Sequence, residues 1–352
     1  HPTRELWCVV HGDDFVFTGF QEDLDFALGI MEKEYEIKNR GTLGPSEGDV
    51  KEIDILGRVL KYTSSGITWQ ADPRHRKMIL EHFGFNGQTK SVTKNGAKDE
   101  RVEEGEEDLK SEVLQKEEEQ AFRALAARAN YVAIDVPNIQ YPTKEVCRDM
   151  SKPSISGYEK LKSLARYMVG FEEVLFEFKW QSEEEAKKIS GYTDSDWAGC
   201  RKSRKSTSGG AIMLGKHCLR TWSSTQPAHA LSVAEAEYYA LVEGSTRCLG
   251  LQTMLKELGV EAGVVVISTD SSSAKSFASR RGLGRMRHIE VKELWLQEAV
   301  CRGRIQLKKV DGTANPADLF TKYLSNVEID KHLCTLNISR SQACANDSSA
   351  TA

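Results

Sequence analysis

The order of short apolar runs in the C-terminal half restricts the fold of this chain more than any other feature. Residues 174–179, 190–193, 209–214 and 219–223 each have strand length and strand composition. Residues 234–258 then run as one long helix. A very apolar strand follows at 264–269, then a helix over 291–301 and a last strand over 305–310. Strands that precede a helix and recur after it belong to a mixed α/β domain, with helices packed on a sheet. The expected fold class is therefore α/β (α+β).

The N-terminal half is built differently. Residues 5–20 read as strand, turn, strand: Val9-Val10-His11-Gly12-Asp13-Asp14-Phe15-Val16-Phe17 sets a polar tip between apolar flanks. Residues 21–38 carry Leu24, Leu28, Met31 and Tyr35 near helical spacing. Strands over 53–61 and 66–70, joined across Thr63-Ser64-Ser65, give a hairpin signal. Asp72-Pro73 opens a helix to about residue 82, with proline at the first helical position. Helices around 117–129, 143–150 and 156–168 form a small connector. The expected domains are 1–85, an acidic linker or insert over 86–119, the helical connector over 120–172, the mixed domain over 173–334, and a disordered tail over 335–352 rich in Ser, Asn and Ala.

Composition narrows the class. At 352 residues, 39% hydrophobic and 28% charged, the chain can bury a core and holds two to three domains. No apolar stretch approaches the roughly 18 residues that span a bilayer, and no basic-then-apolar leader stands at the start. The expectation is an intracellular chain without a membrane partner. Eight cysteines are scattered with no Cys-x-x-Cys pair, which argues against a zinc ribbon and for reduced thiols. The chain opens at His1 almost directly into a strand, so a truncated reading frame is expected. Net charge is −4, but residues 96–119 hold eleven acidic against four basic side chains, a net −7. The remainder is +3, with basic clusters at Arg201-Lys202, Arg204-Lys205, Arg280-Arg281, and Arg285 with Arg287. That distribution fits nucleic acid better than the sum does.

Four segments each place one acid where a fold can use it. Tyr192-Thr193-Asp194-Ser195-Asp196-Trp197 ends a strand, and Glu235-Ala236-Glu237-Tyr238 lies in the first turns of the long helix. Ile267-Ser268-Thr269-Asp270 ends the buried strand, and Asn315-Pro316-Ala317-Asp318 starts a last short helix. Each acid alone reads equally well as a cap or a solvated turn residue. Acids at the ends of parallel strands converge on one crevice. Packed together they repel and need a cation. Hard oxygen ligands suit Mg²⁺ or Mn²⁺, and two ions support in-line phosphodiester displacement.

Residues 191–322 resemble the RNase H domain of copia-type LTR retrotransposon Pol polyproteins. The segments that carry the resemblance are Tyr192 to Cys200, Arg204 to Gly210, Trp222-Ser223-Ser224-Thr225-Gln226, Glu235 to Tyr238, Arg287-His288-Ile289, and Asn315 to Lys322. The resemblance implies an RNase H-like mixed sheet with flanking helices. It implies a site of Asp194, Glu237, Asp270 and Asp318 holding two ions, with Asp196 and Glu235 as alternates if the framing is one step off. His288, between a basic loop and a helix, would orient substrate or assist product release. Arg204, Lys205, Ser206, Arg285 and Arg287 are candidate contacts to nucleic acid, with Thr207 and Ser208 as further hydroxyls. The implied substrate is an RNA–DNA hybrid, told from DNA by its 2′-OH.

Asp13-Asp14 resembles the aspartate pair of a reverse transcriptase palm hairpin, with His11 where the family has an aromatic. Asp54 to Arg58 with Gly66 to Gln70 resembles the strand pair that grips the primer, and residues 76–85 the first thumb helix. The chain thus reads as the end of a palm, a thumb and connection, and an RNase H domain. Only five residues precede the first strand, so the third polymerase acid and the fingers are not expected, and Asp13 and Asp14 read as a remnant site. The leading expectation is a metal-dependent ribonuclease H that cuts the RNA strand. The alternatives are an inactive hybrid-binding remnant and a translated fossil. Full-length relatives polymerise DNA and reside in cytoplasmic virus-like particles, with the nucleus as the other location, and further parts of a Pol polyprotein are expected partners.

Overall fold

A computed structural model describes residues 1, 3–96, 114–284 and 287–342. The chain divides into two compact units, 1–50 and 51–352. In the first, β1 (Leu6–His11) pairs antiparallel with β2 (Asp14–Gly19), with Val10 opposite Phe15 and His11 opposite Asp14. Gly12 takes the positive φ of 62° that so tight a turn demands. Helix α1 (Gln21–Glu34) follows, and Arg4 joins it to the hairpin through an ion pair to Asp23 at 2.7 Å.

The second unit opens with β3 (Glu52–Asp54), β4 (Arg58–Thr63) and β5 (Gly66–Ala71). The Asp72 carboxylate accepts from the Arg74 backbone N–H at 2.8 Å and caps α2 (Pro73–His82), as Asp-Pro at a helix start should. Helices α3 (Lys116–Val132), α4 (Gln140–Cys147) and α5 (Ile155–Met168) come next. They bury Phe122, Leu161, Leu164 and Met168 against Ile79 in one apolar core. The chain continues through β6 (Phe171–Lys179), the short α6 (Glu183–Ala186), and the meander β7 (Ile189–Asp196), β8 (Thr207–Leu214) and β9 (His217–Thr225). After it come α7 (Val233–Glu257), β10 (Val265–Thr269), α8 (Ser272–Ala278), α9 (Trp295–Cys301) and β11 (Ile305–Lys309). A 3₁₀ turn (Pro316–Phe320), α10 (Asn326–Thr335) and β12 (Ile338–Gln342) complete it.

Two five-stranded sheets result. One has the order β11-β10-β7-β8-β9: β10 runs parallel to both β7 and β11, and β8 runs antiparallel to β7 and β9. This is the expected RNase H-like mixed sheet. Helix α7 crosses it so closely that a Cβ on Gly244 would collide with Thr193. On that side Tyr238, Leu241 and Cys248 join Ile189, Val265, Ile267, Phe277 and Leu296 in a second core.

The other sheet, β12-β6-β5-β4-β3, is antiparallel throughout. It draws strands from residues 52–71, 171–179 and 338–342, so it crosses the expected divisions at 85, 172 and 334. Residues 335–342 are also not the disordered segment expected. Leu336 and Ile338 are buried, Ser339 pairs with Leu175, and Arg340 donates to the Tyr167 hydroxyl at 2.8 Å. The physical reason is the exposed edge of β6, which a further strand satisfies. Residues 343–352, and the 97–113 part of the acidic run, lie outside the described residues. The expected helix over 291–301 is split into a 3₁₀ turn (Val291–Glu293) and α9. No described helix is long and apolar enough to cross a membrane.

Ile338→Ala is expected to destabilise the protein by about 2–4 kcal/mol, the cost of emptying a buried aliphatic site. Chemical denaturation checks it: an unchanged midpoint would mean that β12 does not pack in solution.

Candidate metal and catalytic site

Parallel pairing builds the first half of the site. Thr193 lies opposite Thr269 where the β7–β10 pairing ends, so the next residues, Asp194, still paired with Gly209 of β8, and Asp270, just past the end of β10, come side by side at the carboxyl edge of β10. Asp318 arrives on the 3₁₀ turn. Asn315 caps that turn by accepting from the Ala317 N–H at 3.2 Å, and its amide donates to the Thr193 carbonyl at 2.9 Å. Ser223 Oγ donates to the Phe320 carbonyl at 2.6 Å. Gly209 leaves room for the turn, since a Cβ there would stand 2.6 Å from Phe320 Cβ. Carboxylate oxygens of Asp194, Asp270 and Asp318 consequently lie within 4.8 Å of one another.

Helix α7 supplies the fourth acid. Ser232 caps it, accepting from the Glu235 N–H at 3.2 Å. Glu237 follows on the side facing β7, 5% exposed, where Oε1 accepts from the Ser195 N–H at 3.3 Å. Its Oε2 is buried with no hydrogen-bond partner. Among these carboxylates stands one cation that the sequence reading passed over. Lys322 Nζ is 2.7 Å from Asp318 Oδ1 and 3.5 Å from Asp194 Oδ2. The Thr321 hydroxyl also donates to Asp194 Oδ2.

The electrostatics follow from burial. Burial pushes Asp194 up to about 7; Lys322 opposes the rise, and Asp318 and Asp270 add to it. Burial likewise pushes Glu237 up to about 8, with the Asp194 charge adding to it. Burial works against the Lys322 ammonium, but Asp194, Asp318 and Asp270 more than offset it and hold the proton above the ordinary lysine value. The donor set fits a hard divalent cation: carboxylate oxygens alone converge, and Glu237 keeps one oxygen unsatisfied.

The other expected site residues fall elsewhere. Glu235 is not a member of the acid group. It is 1% exposed, accepts from the Leu231 N–H and the Tyr239 hydroxyl, and holds His288 Nε2 at 2.7 Å. His288 is thereby fixed to the start of α7 and not to the carboxylates. Asp196 ends β7 opposite Thr207, outside the three-acid group, and its charge acts on Tyr141 and Lys144. Ser206, Thr207 and Ser208 are corrected: all three are buried. Their hydroxyls bond the Ala198 N–H, Lys144 Nζ and Gln226 Nε2, so none is available to a sugar–phosphate backbone. Arg204, at a φ of 54°, and Arg287 are exposed, and Lys205 is half-buried. Arg285 lies outside the described residues. Asp13 and Asp14 stand at the hairpin turn of the N-terminal unit. Lys322 and Asn315 were missed, although Lys322 four residues after Asp318 is a helix-type ion-pair spacing.

The raised pKa values fix the sign of a pH effect. Unfolded carboxyls ionise near pH 4, while Asp194 and Glu237 in the fold keep protons to about 7 and 8. Between those limits the folded state binds more protons, so stability falls as pH rises. Thermal melts of metal-free protein should therefore drop from pH 5 to pH 8.5. Mg²⁺ should raise the melting temperature more at pH 8.5 than at pH 5, and Glu237→Gln should flatten the slope. A metal-free melt that rises with pH would contradict this site.

No family model matches the chain. It is 26% identical over 318 residues to the retrovirus-related Pol polyprotein from transposon TNT 1-94 of Nicotiana tabacum, covering 89% of this chain and 23% of that protein. It is 26% identical over 222 residues to the corresponding polyprotein from transposon RE1 of Arabidopsis thaliana, covering 62% of this chain and 15% of that one. The chain thus spans less than a quarter of the length of these curated relatives. Among solved structures, the foamy viral protease–reverse transcriptase in complex with an RNA/DNA hybrid aligns over 87% of this chain and 36% of its own. Its identity is 10% and its TM-score 0.45. At such scores the fold assignment rests on the strand order and register given above. The curated relatives of this chain are thus retrovirus-related Pol polyproteins from copia-type transposons.

Proposed function

We propose that this chain hydrolyses the RNA strand of RNA–DNA hybrids as a metal-dependent ribonuclease H, leaving 3′-OH and 5′-phosphate ends. The observation that carries the reading is the convergence of Asp194, Asp270 and Asp318 within 4.8 Å, with the unsatisfied buried Glu237 oxygen on the neighbouring helix. Asp194, Glu237, Asp270 and Asp318 would hold Mg²⁺ or Mn²⁺, two ions in all. When bound, such ions supply an activated water and charge stabilisation at the leaving oxygen.

The chain's own residues do the rest. Asn315 and Ser223 hold the Asp318 turn on the sheet, so the acids are placed before substrate arrives. Thr321 and the Ser195 N–H orient Asp194 and Glu237. Glu235 fixes His288 at the edge of the basic loop. Arg204, Lys205 and Arg287 offer charge to phosphates. Asp13 and Asp14, at the turn of the N-terminal hairpin, have no part in this reading. Cytoplasmic particles are the location that goes with this reading.

The test is cleavage of a labelled hybrid with Mg²⁺ or Mn²⁺, beside an EDTA control and Asp270→Asn. Cutting of the RNA strand alone is expected, with Asp270→Asn at the EDTA level. Hybrid binding by folded protein without cutting in either metal would favour the inactive binding reading. In the same binding assay, Arg204→Ala and Arg287→Ala should each weaken affinity for all sequences alike. Each should also reduce the slope of log affinity against log salt by roughly 0.7 to 0.9, the value per phosphate contact. Variants with wild-type salt slopes would remove those arginines from the interface.

A further inference from the structure

The Lys322 ammonium sits where the acids would receive a divalent ion. It is 2.7 Å from Asp318 Oδ1 and 3.5 Å from Asp194 Oδ2, which belong to two of the three residues whose oxygens converge. A Mg²⁺ ion takes oxygen ligands at about 2.0–2.1 Å, so an ion seated on those oxygens would lie against Nζ. Two cations cannot occupy that space. The lysine stem is long and flexible, and the Lys322 side chain is 40% exposed, which leaves it a route to solvent.

We propose that Lys322 is a tethered cation that neutralises the acid cluster in the metal-free protein, and that a divalent ion binds by displacing its ammonium. The inference rests on the metal-binding reading of the site. Oxygens of Asp194, Asp270 and Asp318 lie within 4.8 Å of one another, and like charges held so close call for a cation between them. Lys322 supplies that cation from two residues beyond the 3₁₀ turn that delivers Asp318, through an ion pair to the acid four residues before it. Loading the metal is then an exchange of one cation for another, and Lys322 lowers the apparent metal affinity.

Two measurements on the full chain without nucleic acid test this. The first is Mn²⁺ binding followed by electron paramagnetic resonance. Lys322→Gln should bind Mn²⁺ at least about tenfold more tightly than wild type, roughly 1.4 kcal/mol. Lys322→Arg, which keeps the charge, should stay close to wild type. The second is acetylation of Lys322 in the wild-type protein, read by peptide mass spectrometry. Mn²⁺ should increase it as the ammonium is released. This arm needs no variant and decides the matter if Lys322→Gln fails to fold. Equal or weaker Mn²⁺ affinity in Lys322→Gln, or Lys322 labelling that Mn²⁺ leaves unchanged or lowers, would overturn the displacement while leaving the metal site standing. If wild type and Lys322→Gln both bind no Mn²⁺ at millimolar concentration, the metal reading falls and displacement falls with it.

Discussion

Mutual repulsion among carboxylates is the constraint around which the C-terminal unit is arranged. Parallel pairing of β7 with β10 leaves Asp194 and Asp270 adjacent whether or not a cation is present. Adding Asp318 and a buried Glu237 raises the cost of ionising all four. The surroundings answer that cost at several points. Thr321 and the Ser195 N–H donate to the acids, Asp194 and Glu237 retain protons to near neutrality, and Lys322 reaches in from just beyond the 3₁₀ turn. Gly209 and Gly244 yield the space that lets the turn and the helix come close enough for this to occur.

Much of this was legible because the signals are local. A strand followed by an acid can be seen at Thr269-Asp270 and at Thr193-Asp194, and Asp72-Pro73 announces its own helix. Asp318 was different. Asn315-Pro316-Ala317-Asp318 is an ordinary turn and cap sequence by itself, and nothing in it tells which residues it packs on. What seats it is the Asn315–Thr193 bond, which spans 122 residues and leaves no trace in either segment. Lys322 was overlooked for the same reason: beside Asp318 it looks like a surface ion pair, and the fold alone brings Asp194 to it.

The errors also have physical causes. Ser206-Thr207-Ser208 looks solvent-facing because hydroxyls favour turns. But β8 lies between β7 and β9, and a strand so placed buries its hydroxyls and must bond them internally. In the tail, abundant Ser and Asn hid a short strand. Ile338 and Arg340 are its informative residues, and Arg340 reads as surface until its head group is found 3% exposed between Asp330 and the Tyr167 hydroxyl. Composition reports how much apolar surface a segment offers. It does not report whether a neighbouring edge is waiting for it.

The β12–β6 pairing has a consequence for the order of assembly. Ser339 meets Leu175 across more than one hundred and sixty positions, and β5, which flanks β6 on its other side, comes a further hundred positions earlier. Contacts of such wide separation form slowly, because loop closure must precede any stabilisation from them. During synthesis, the mixed sheet can gather its five strands once residue 309 has left the ribosome. The antiparallel sheet has to wait with an open flank on β6 until residues 338–342 emerge. The mixed sheet thus has a head start on the antiparallel one, and in the interval between the two the open flank of β6 is exposed to mispairing with a neighbour.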